Sequence, residues 1–207
     1  MELLLIMRLA NYVYKKDFLT KEECNKLIKE GEKNLKKAVI LKDEKEILAN
    51  EPTRRNANVS FFNNRSHVQS IIQKIIDEIC YLGSTLYGVY ITDIEPIQYA
   101  EYEKGMFHMW HTDSPTKPNQ TLTRDISVSL ILNSKDEYTG GSLQMINSSC
   151  ISTDNVITPK DVEVQEQGTL VVFPSSMIHQ VTPVLSGVRK SVVLWTCSNM
   201  RPAKEWN

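Results

Sequence analysis

Gly168-Thr169-Leu170-Val171-Val172-Phe173-Pro174-Ser175-Ser176-Met177-Ile178-His179-Gln180-Val181-Thr182-Pro183-Val184 is the stretch whose reading sets the fold. Glycine opens it, a run of β-branched and large apolar residues follows, and proline closes that run. After a short polar turn a second run resumes at Gln180. Short apolar runs rich in valine and bounded by glycine and proline read as strands rather than helices. Thr169–Phe173 and Gln180–Val184 are therefore read as strands. Similar runs occur on either side, at Ile94–Glu101, Ile126–Leu132, Ser142–Ile146, Cys150–Ile157 and Lys190–Thr196. Tyr138-Thr139-Gly140-Gly141, Gln167-Gly168 and Ser186-Gly187 separate them with turn residues. Such a succession predicts a β-sandwich or jelly roll, with a mouth between its sheets where ligand sites commonly sit.

Upstream of Gly83 the texture differs. In Phe18-Leu19-Thr20-Lys21-Glu22-Glu23, Thr20 can accept from the N–H of Glu23 while Glu23 reaches back, which is a capping box at a helix start. Val68, Ile71, Ile72, Ile75, Ile76 and Ile79 recur at three- and four-residue steps and predict a helix from about Ser66 to Leu82. Isoleucine is a weak helix former, so burial of this stripe must supply the stability, and the helix should buttress a sheet. Lys42–Pro52 reads as a solvated, charged loop and Asn58–Phe62 as a short strand. The expected class is α+β, mainly β: a single domain over 1–207, with helical support over about 1–92 and a sheet-rich core over about 93–200.

Composition narrows the function. With 207 residues and 41% apolar side chains, the chain can bury a core. Lys and Arg number 24 against 25 Asp and Glu, which leaves no electrostatic footprint for nucleic acid or an anionic membrane. No stretch approaches the roughly 20 apolar residues of a membrane span. The run Leu3–Met7 is too short for a secretory core and reads as an opening strand. Cys24, Cys80, Cys150 and Cys197 are dispersed, with no C-x-x-C pair, as expected of reduced, buried thiols in a cytoplasmic protein.

The chemistry concentrates in a few residues. Met109-Trp110-His111-Thr112-Asp113 contains His-x-Asp. On an extended strand, residues two apart share a face, so His111 and Asp113 present an imidazole and a carboxylate side by side. Taken alone, that pair is more often a structural hydrogen bond. His179 follows between two strands, and Arg189 comes after Gly187. Arg189, Ser191, Val193 and Trp195 alternate with Lys190, Val192 and Leu194, so the first set shares a face. An arginine aimed into a barrel interior is costly unless it meets an anion, and a bidentate carboxylate is the natural partner.

The ordered set His111-x-Asp113, His179, Arg189-x-Ser191 resembles the 2-oxoglutarate/Fe(II)-dependent dioxygenase superfamily, most closely its prolyl 4-hydroxylase-like branch with the short bacterial and phage PKHD-type members. Tyr102-Glu103-Lys104-Gly105 is similar to that branch's Tyr-x-x-Gly lead-in. Gly140-Gly141-Ser142-Leu143 is similar to its Gly-Gly-Glu-Leu turn, with Ser142 in place of the acid. Gly168–Pro174 and His179–Val184 also resemble its signatures. The likeness is close over roughly 95–198 and general before it. It implies a double-stranded β-helix with His111, Asp113 and His179 as catalytic metal ligands for Fe(II), and three coordination positions left open. It implies Arg189 gripping the distal carboxylate of 2-oxoglutarate, with the Tyr102 hydroxyl as second donor; Ser191, two residues after Arg189, either donates to the co-substrate or satisfies a strand neighbour. It implies O₂ as oxidant, ascorbate as an accessory reductant, and hydroxylation of a carbon coupled to conversion of 2-oxoglutarate to succinate and CO₂. The substrate expected is a protein or peptide residue such as proline, or a free amino acid or other small molecule, in the cytoplasm of a bacterium or phage-infected host.

Neighbouring residues carry two readings each. Ser127 and Trp195 either face the pocket or pack. Met109 and Trp110 pack or line a substrate mouth. His108 reads as a loop or substrate-side residue rather than a ligand and His67 as a surface residue; Arg124 resembles the arginine that opens the same strand in the family, or is an ordinary surface charge beside Asp125. Ser114–Thr123, polar with Pro115 and Pro118, reads as a loop covering substrate. A cupin would cluster more histidines and would not explain Arg189. A non-enzymatic β-sandwich module would have no need of the full triad.

Overall fold

The computed structural model describes residues 12–42, 45–48, 54–62, 67–114, 122–146, 160–162 and 165–199. The first part holds β1 (Val13–Lys15), α1 (Lys21–Gly31), β2 (Lys36–Lys37), β3 (Val39–Lys42), β4 (Lys45–Leu48), β5 (Arg55–Asn56), β6 (Asn58–Phe61) and α2 (Gln69–Leu82). Then come β7 (Asp93–Ile94), β8 (Gln98–Tyr102), β9 (Phe107–His111), β10 (Leu122–Ile131), β11 (Tyr138–Gly140), β12 (Leu143–Ile146) and β13 (Lys160–Asp161). The chain closes with β14 (Leu170–Pro174), β15 (Ile178–Val181), β16 (Val184–Gly187) and β17 (Arg189–Asn199).

These strands build two main antiparallel sheets. The larger runs β1-β14-β10-β17-β8-β6-β2, with β7 added against β17. The smaller runs β13-β12-β15-β9-β5. Together they form a double-stranded β-helix. Period-two alternation gives the large sheet two chemically distinct faces. Ile126, Val128, Leu130, Leu170, Val172, Val192, Leu194 and Tyr99 turn outward to the helices, where they meet Ile71, Ile72, Ile75 and Ile79 of α2. Each fully buried aliphatic side chain there contributes about 1.5–3 kcal/mol, which offsets the weak helix propensity of isoleucine. Val171, Phe173, Ala100 and Tyr102 turn inward and join Leu143, Met145 and Val181 of the small sheet in a second core.

Helix α1 begins with the capping box read from sequence: the Glu23 N–H donates to Thr20 Oγ1 at 3.2 Å, and the Thr20 N–H donates to Glu23 Oε2 at 2.8 Å. The first part of the chain is less helical than its sequence predicts. β1, β2 and β6 extend the large sheet and β5 extends the small one. Lys45–Leu48, inside the expected loop Lys42–Pro52, pairs with Val39–Lys42 as a hairpin. The strand expected at Asn58–Phe62 is present as β6, but β1, β2, β4 and β5, at two to four residues, are too short to show a hydrophobic period and escape sequence reading. Ile94–Glu101 is not one strand; it breaks between Ile94 and Gln98, around Pro96, which cannot donate to a ladder. Cys24 and Cys197 are buried free thiols, whereas Cys80 is exposed, contrary to expectation. The expected strands at Leu3–Met7 and Cys150–Ile157 lie outside the described residues, as does most of Ser114–Thr123. Among the described residues no helix is long and apolar enough to cross a membrane.

Candidate active site

The site lies between the two sheets, where β9 and β15 pair with His111 opposite His179. His111 ends β9, and Asp113 follows in a bend whose backbone N–H donates to the Ser175 carbonyl at 2.8 Å. His111 Nε2 lies 3.5 Å from Asp113 Oδ1, and His179 Nε2 lies 3.5 Å from Asp113 Oδ2. One potential ligand atom from each of the three residues falls within 4.8 Å of the others.

Hydrogen bonds set the tautomers. His111 Nδ1 lies 2.7 Å from the Met109 carbonyl and His179 Nδ1 lies 2.9 Å from the Met177 carbonyl. A carbonyl can only accept, so each Nδ1 carries the proton and each Nε2 lone pair is free to coordinate. Burial lowers the His179 pKa below the ordinary imidazole value; Asp113 pulls it up and His111 pushes it down again. Asp113 is opposite in sense. Burial would raise its pKa, but the His111 hydrogen bond, the charges of both histidines and the Ser127 hydroxyl hold it well below the usual carboxylate range. Two neutral imidazoles and one carboxylate on one side of a central point suit a six-coordinate divalent iron with open positions.

Ser127 Oγ donates to Asp113 Oδ2 at 2.7 Å and sits 2.9 Å from Ser175 Oγ. The sequence left Ser127 between pocket and packing; it fixes the carboxylate. Ser127→Ala is expected to weaken Fe(II) binding by about 10–100-fold, as losing a partner of a metal ligand commonly does. Iron titration followed by fluorescence quenching measures it, and the thermal midpoint should move little.

A cavity extends inward from this triad, lined among others by Tyr102, Leu143, Phe173, Arg189, Ser191 and Trp195. Arg189 closes it and is 1% exposed. Its Nη1 donates to Ser191 Oγ at 2.9 Å, and its guanidinium stands 5.6 Å from the Tyr102 ring centre. Its Nε and Nη2 are buried without a partner. A buried guanidinium with two free donors matches a carboxylate, so the residues present fit the distal end of 2-oxoglutarate. Gly141 (φ +58°) leaves room for the arginine: a Cβ there would lie 3.1 Å from Arg189 Cδ and 3.0 Å from Val184 Cγ2.

Of the neighbouring residues, Arg124 and the placement of His108 differ from their sequence reading, while His67, Met109 and Trp110 stand as read. His108 is on strand β9, not in a loop, and stacks on His111 with ring centres 3.6 Å apart. A bulge explains this: His179 and Val181, two apart, pair with His111 and His108, three apart, so His108 is turned to the inner face. Arg124 is no ordinary surface charge; its Nη2 donates to Glu95 Oε2 at 2.6 Å, its Nε pairs with Glu95 Oε1, and it covers the Trp195 ring at 4.1 Å. His67 is exposed, 2.9 Å from Glu30. Met109 and Trp110 line an outer cleft beyond the triad, together with Arg54, Arg55 and Phe61. Sequence reasoning missed Arg55 and Gln98. The one available signal was a glutamine opening a wholly buried strand.

Burial also lowers the His108 pKa well below the ordinary value, with His111 and Arg55 pushing the same way. Folded His108 and His179 therefore bind fewer protons than their unfolded forms below about pH 6.5. Stability of the metal-free protein should fall as pH drops through that value, each imidazole adding up to about 1.4 kcal/mol per pH unit until its folded pKa is passed. Thermal midpoints between pH 7.5 and 5 in the presence of chelator test this, and His108→Gln should flatten the slope.

Comparison with known proteins follows this geometry. Residues 97–197, just under half of the chain, match the model of the 2OG-Fe(II) oxygenase superfamily. The chain is also similar to PKHD-type hydroxylases. It is 34% identical over 111 residues to a PKHD-type hydroxylase of Burkholderia ambifaria, covering 52% of this chain and 45% of that one. The chain thus matches less than half the length of that relative. A Pseudomonas putida prolyl-4-hydroxylase shares the fold with TM-score 0.70 at 19% identity, over 97% of this chain and 98% of that one. A Trichoplax adhaerens prolyl hydroxylase, solved with a hypoxia inducible factor peptide fragment, gives 0.67 at 15% identity, over 93% and 86%.

Proposed function

We propose that this protein is an Fe(II)- and 2-oxoglutarate-dependent hydroxylase of a peptidyl residue such as proline. One observation carries the reading: two imidazole lone pairs and a carboxylate converge at the mouth of a cavity whose far end is a buried, partly unpartnered guanidinium. His111, Asp113 and His179 would hold the iron, with Ser127 orienting the carboxylate and the Met109 and Met177 carbonyls fixing both tautomers. Arg189 would bind the distal carboxylate of 2-oxoglutarate, with Ser191 steadying the guanidinium and Tyr102 beside it. When bound, the iron supplies O₂ activation coupled to decarboxylation of the 2-oxo acid. The chain's own contribution is orientation and exclusion of water: Leu143, Phe173 and Val181 make the cavity wall apolar around the reacting end. The outer cleft, open to solvent past Met109 and Trp110, would admit the substrate.

The peptide reading is supported by the PKHD-type relatives and by the peptide held by the Trichoplax enzyme. A reducing, cytoplasmic setting is proposed with it, because Cys24 and Cys197 are buried thiols without a disulfide. The test is succinate release from 2-oxoglutarate that requires Fe(II), with mass spectrometry of a proline-containing peptide library. Peptides gaining one oxygen at proline support the reading. Oxygen gain only on free amino acids would replace peptide by small-molecule hydroxylation, and no iron-dependent succinate would refute both.

A further inference from the structure

The inner cavity and the outer cleft meet at a throat, and six residues line both: Arg55, Gln98, His108, His111, Asp113 and Trp195. Two of these belong to the triad, and His108 is stacked against His111. Each of the other three holds a buried N–H donor without a partner: Arg55 Nε, Gln98 Nε2 and Trp195 Nε1. Gln98 is 4% exposed. Its strand β8 is paired on both sides, to β17 and β6, so backbone ladders leave its amide nothing to bind. Three unpaired donors around one opening are costly unless an acceptor enters.

The charge around the opening is positive. Arg124 is neutralised by its two contacts with Glu95, and Asp113 faces the two histidines. Among the described residues, Arg54 and Arg55 remain on the cleft wall with no lining carboxylate other than Glu95 and Asp113, both already engaged. A carbonyl oxygen offers two lone pairs, whereas a carboxylate offers about four acceptor sites and a charge. Donors to an ionised acceptor form bonds roughly twice as strong as neutral ones. The distal carboxylate of 2-oxoglutarate would sit at Arg189, at the opposite end of the inner cavity, and its 2-oxo acid end would be taken up by the metal, which leaves the throat donors to a second molecule.

We propose that the substrate carries a carboxylate close to the carbon that is hydroxylated, and that Arg55, Gln98 and Trp195 receive it at the throat. The proposal deepens the hydroxylase reading and rests on it. The carboxylate is either the terminal carboxylate of the substrate or the side chain of an acidic neighbour in a peptide. Both present the same oxygens to the same donors.

The test is calorimetric titration of the anaerobic protein loaded with Fe(II) and 2-oxoglutarate. One pair of probes is N-acetyl-L-proline against its amide. A second is acetyl-Pro-Asp-amide against acetyl-Pro-Asn-amide. N-acetyl-L-leucine and its amide form a third. About ten-fold tighter binding of the acid within a pair is expected, and Arg55→Met or Gln98→Leu should reduce it to less than about two-fold. The affinity of each variant for 2-oxoglutarate, read in the same cell, shows that the inner cavity is intact. Preference in the first pair assigns a terminal carboxylate, and preference in the second assigns an acidic side chain. Discrimination shown equally by the leucine pair upholds the throat while removing proline as substrate. Proline binding without acid-over-amide discrimination in any pair, or discrimination that survives both substitutions, overturns the proposal and leaves the prolyl reading standing.

Discussion

His179→Ala is expected to remove Fe(II) binding at micromolar concentrations and, with it, all iron-dependent succinate formation. Two ligands from one short stretch, His111 and Asp113, would remain, and they cannot define a face of the coordination sphere. Loss of a mere partner of a ligand costs about 10–100-fold in affinity, so loss of the ligand itself should exceed about 100-fold. The fold should survive. His179 gives up its bond to the Met177 carbonyl and its edge contact with Phe173 at 4.8 Å, a cost of about 1–3 kcal/mol. Metal binding and thermal midpoint, measured on the same sample, separate the two effects. Retained iron affinity would remove His179 from the metal site.

Arg189→Met should act on the co-substrate and spare the metal. Breaking a buried charge pair costs about 3–5 kcal/mol, which is about 10²–10⁴ in the KM for 2-oxoglutarate. Stability should respond in the opposite sense. Without a dicarboxylic acid the guanidinium is 1% exposed with Nε and Nη2 unpartnered, a burden that methionine of similar length does not carry. The substituted protein should therefore melt no lower than the parent in the absence of 2-oxoglutarate, and 2-oxoglutarate should raise the melting point of the parent alone. Equal KM values for both would show that the acid binds elsewhere.

The residues that sequence made legible share a physical property: each depends on short-range periodicity. His111-x-Asp113 works because the chain is extended there. Arg189, Ser191, Val193 and Trp195 line one cavity because β17 alternates without a break through them. The isoleucine stripe of α2 is a 3.6-residue period and is buried as expected. What sequence did not show depends on register between strands far apart in the chain. His108 reaches the inner face through a bulge against β15, which no local pattern records. Arg55 reaches the throat from a two-residue strand that gains its place by pairing with His108. Arg124 looked like a surface charge because its partner, Glu95, comes from the break between β7 and β8. Ser127 was left between pocket and packing, because its bond to Asp113 depends on the bend after β9.

The most direct measurement is an anaerobic titration of the protein with Fe(II) and 2-oxoglutarate, followed by visible absorption. An iron held by His111, Asp113 and His179 and chelated by the 2-oxo acid should give a weak charge-transfer band that saturates at equimolar iron, vanishes in His179→Ala, and needs far more 2-oxoglutarate in Arg189→Met. A folded protein that gives no band at saturating iron and 2-oxoglutarate, or a band undiminished by His179→Ala, would contradict the account.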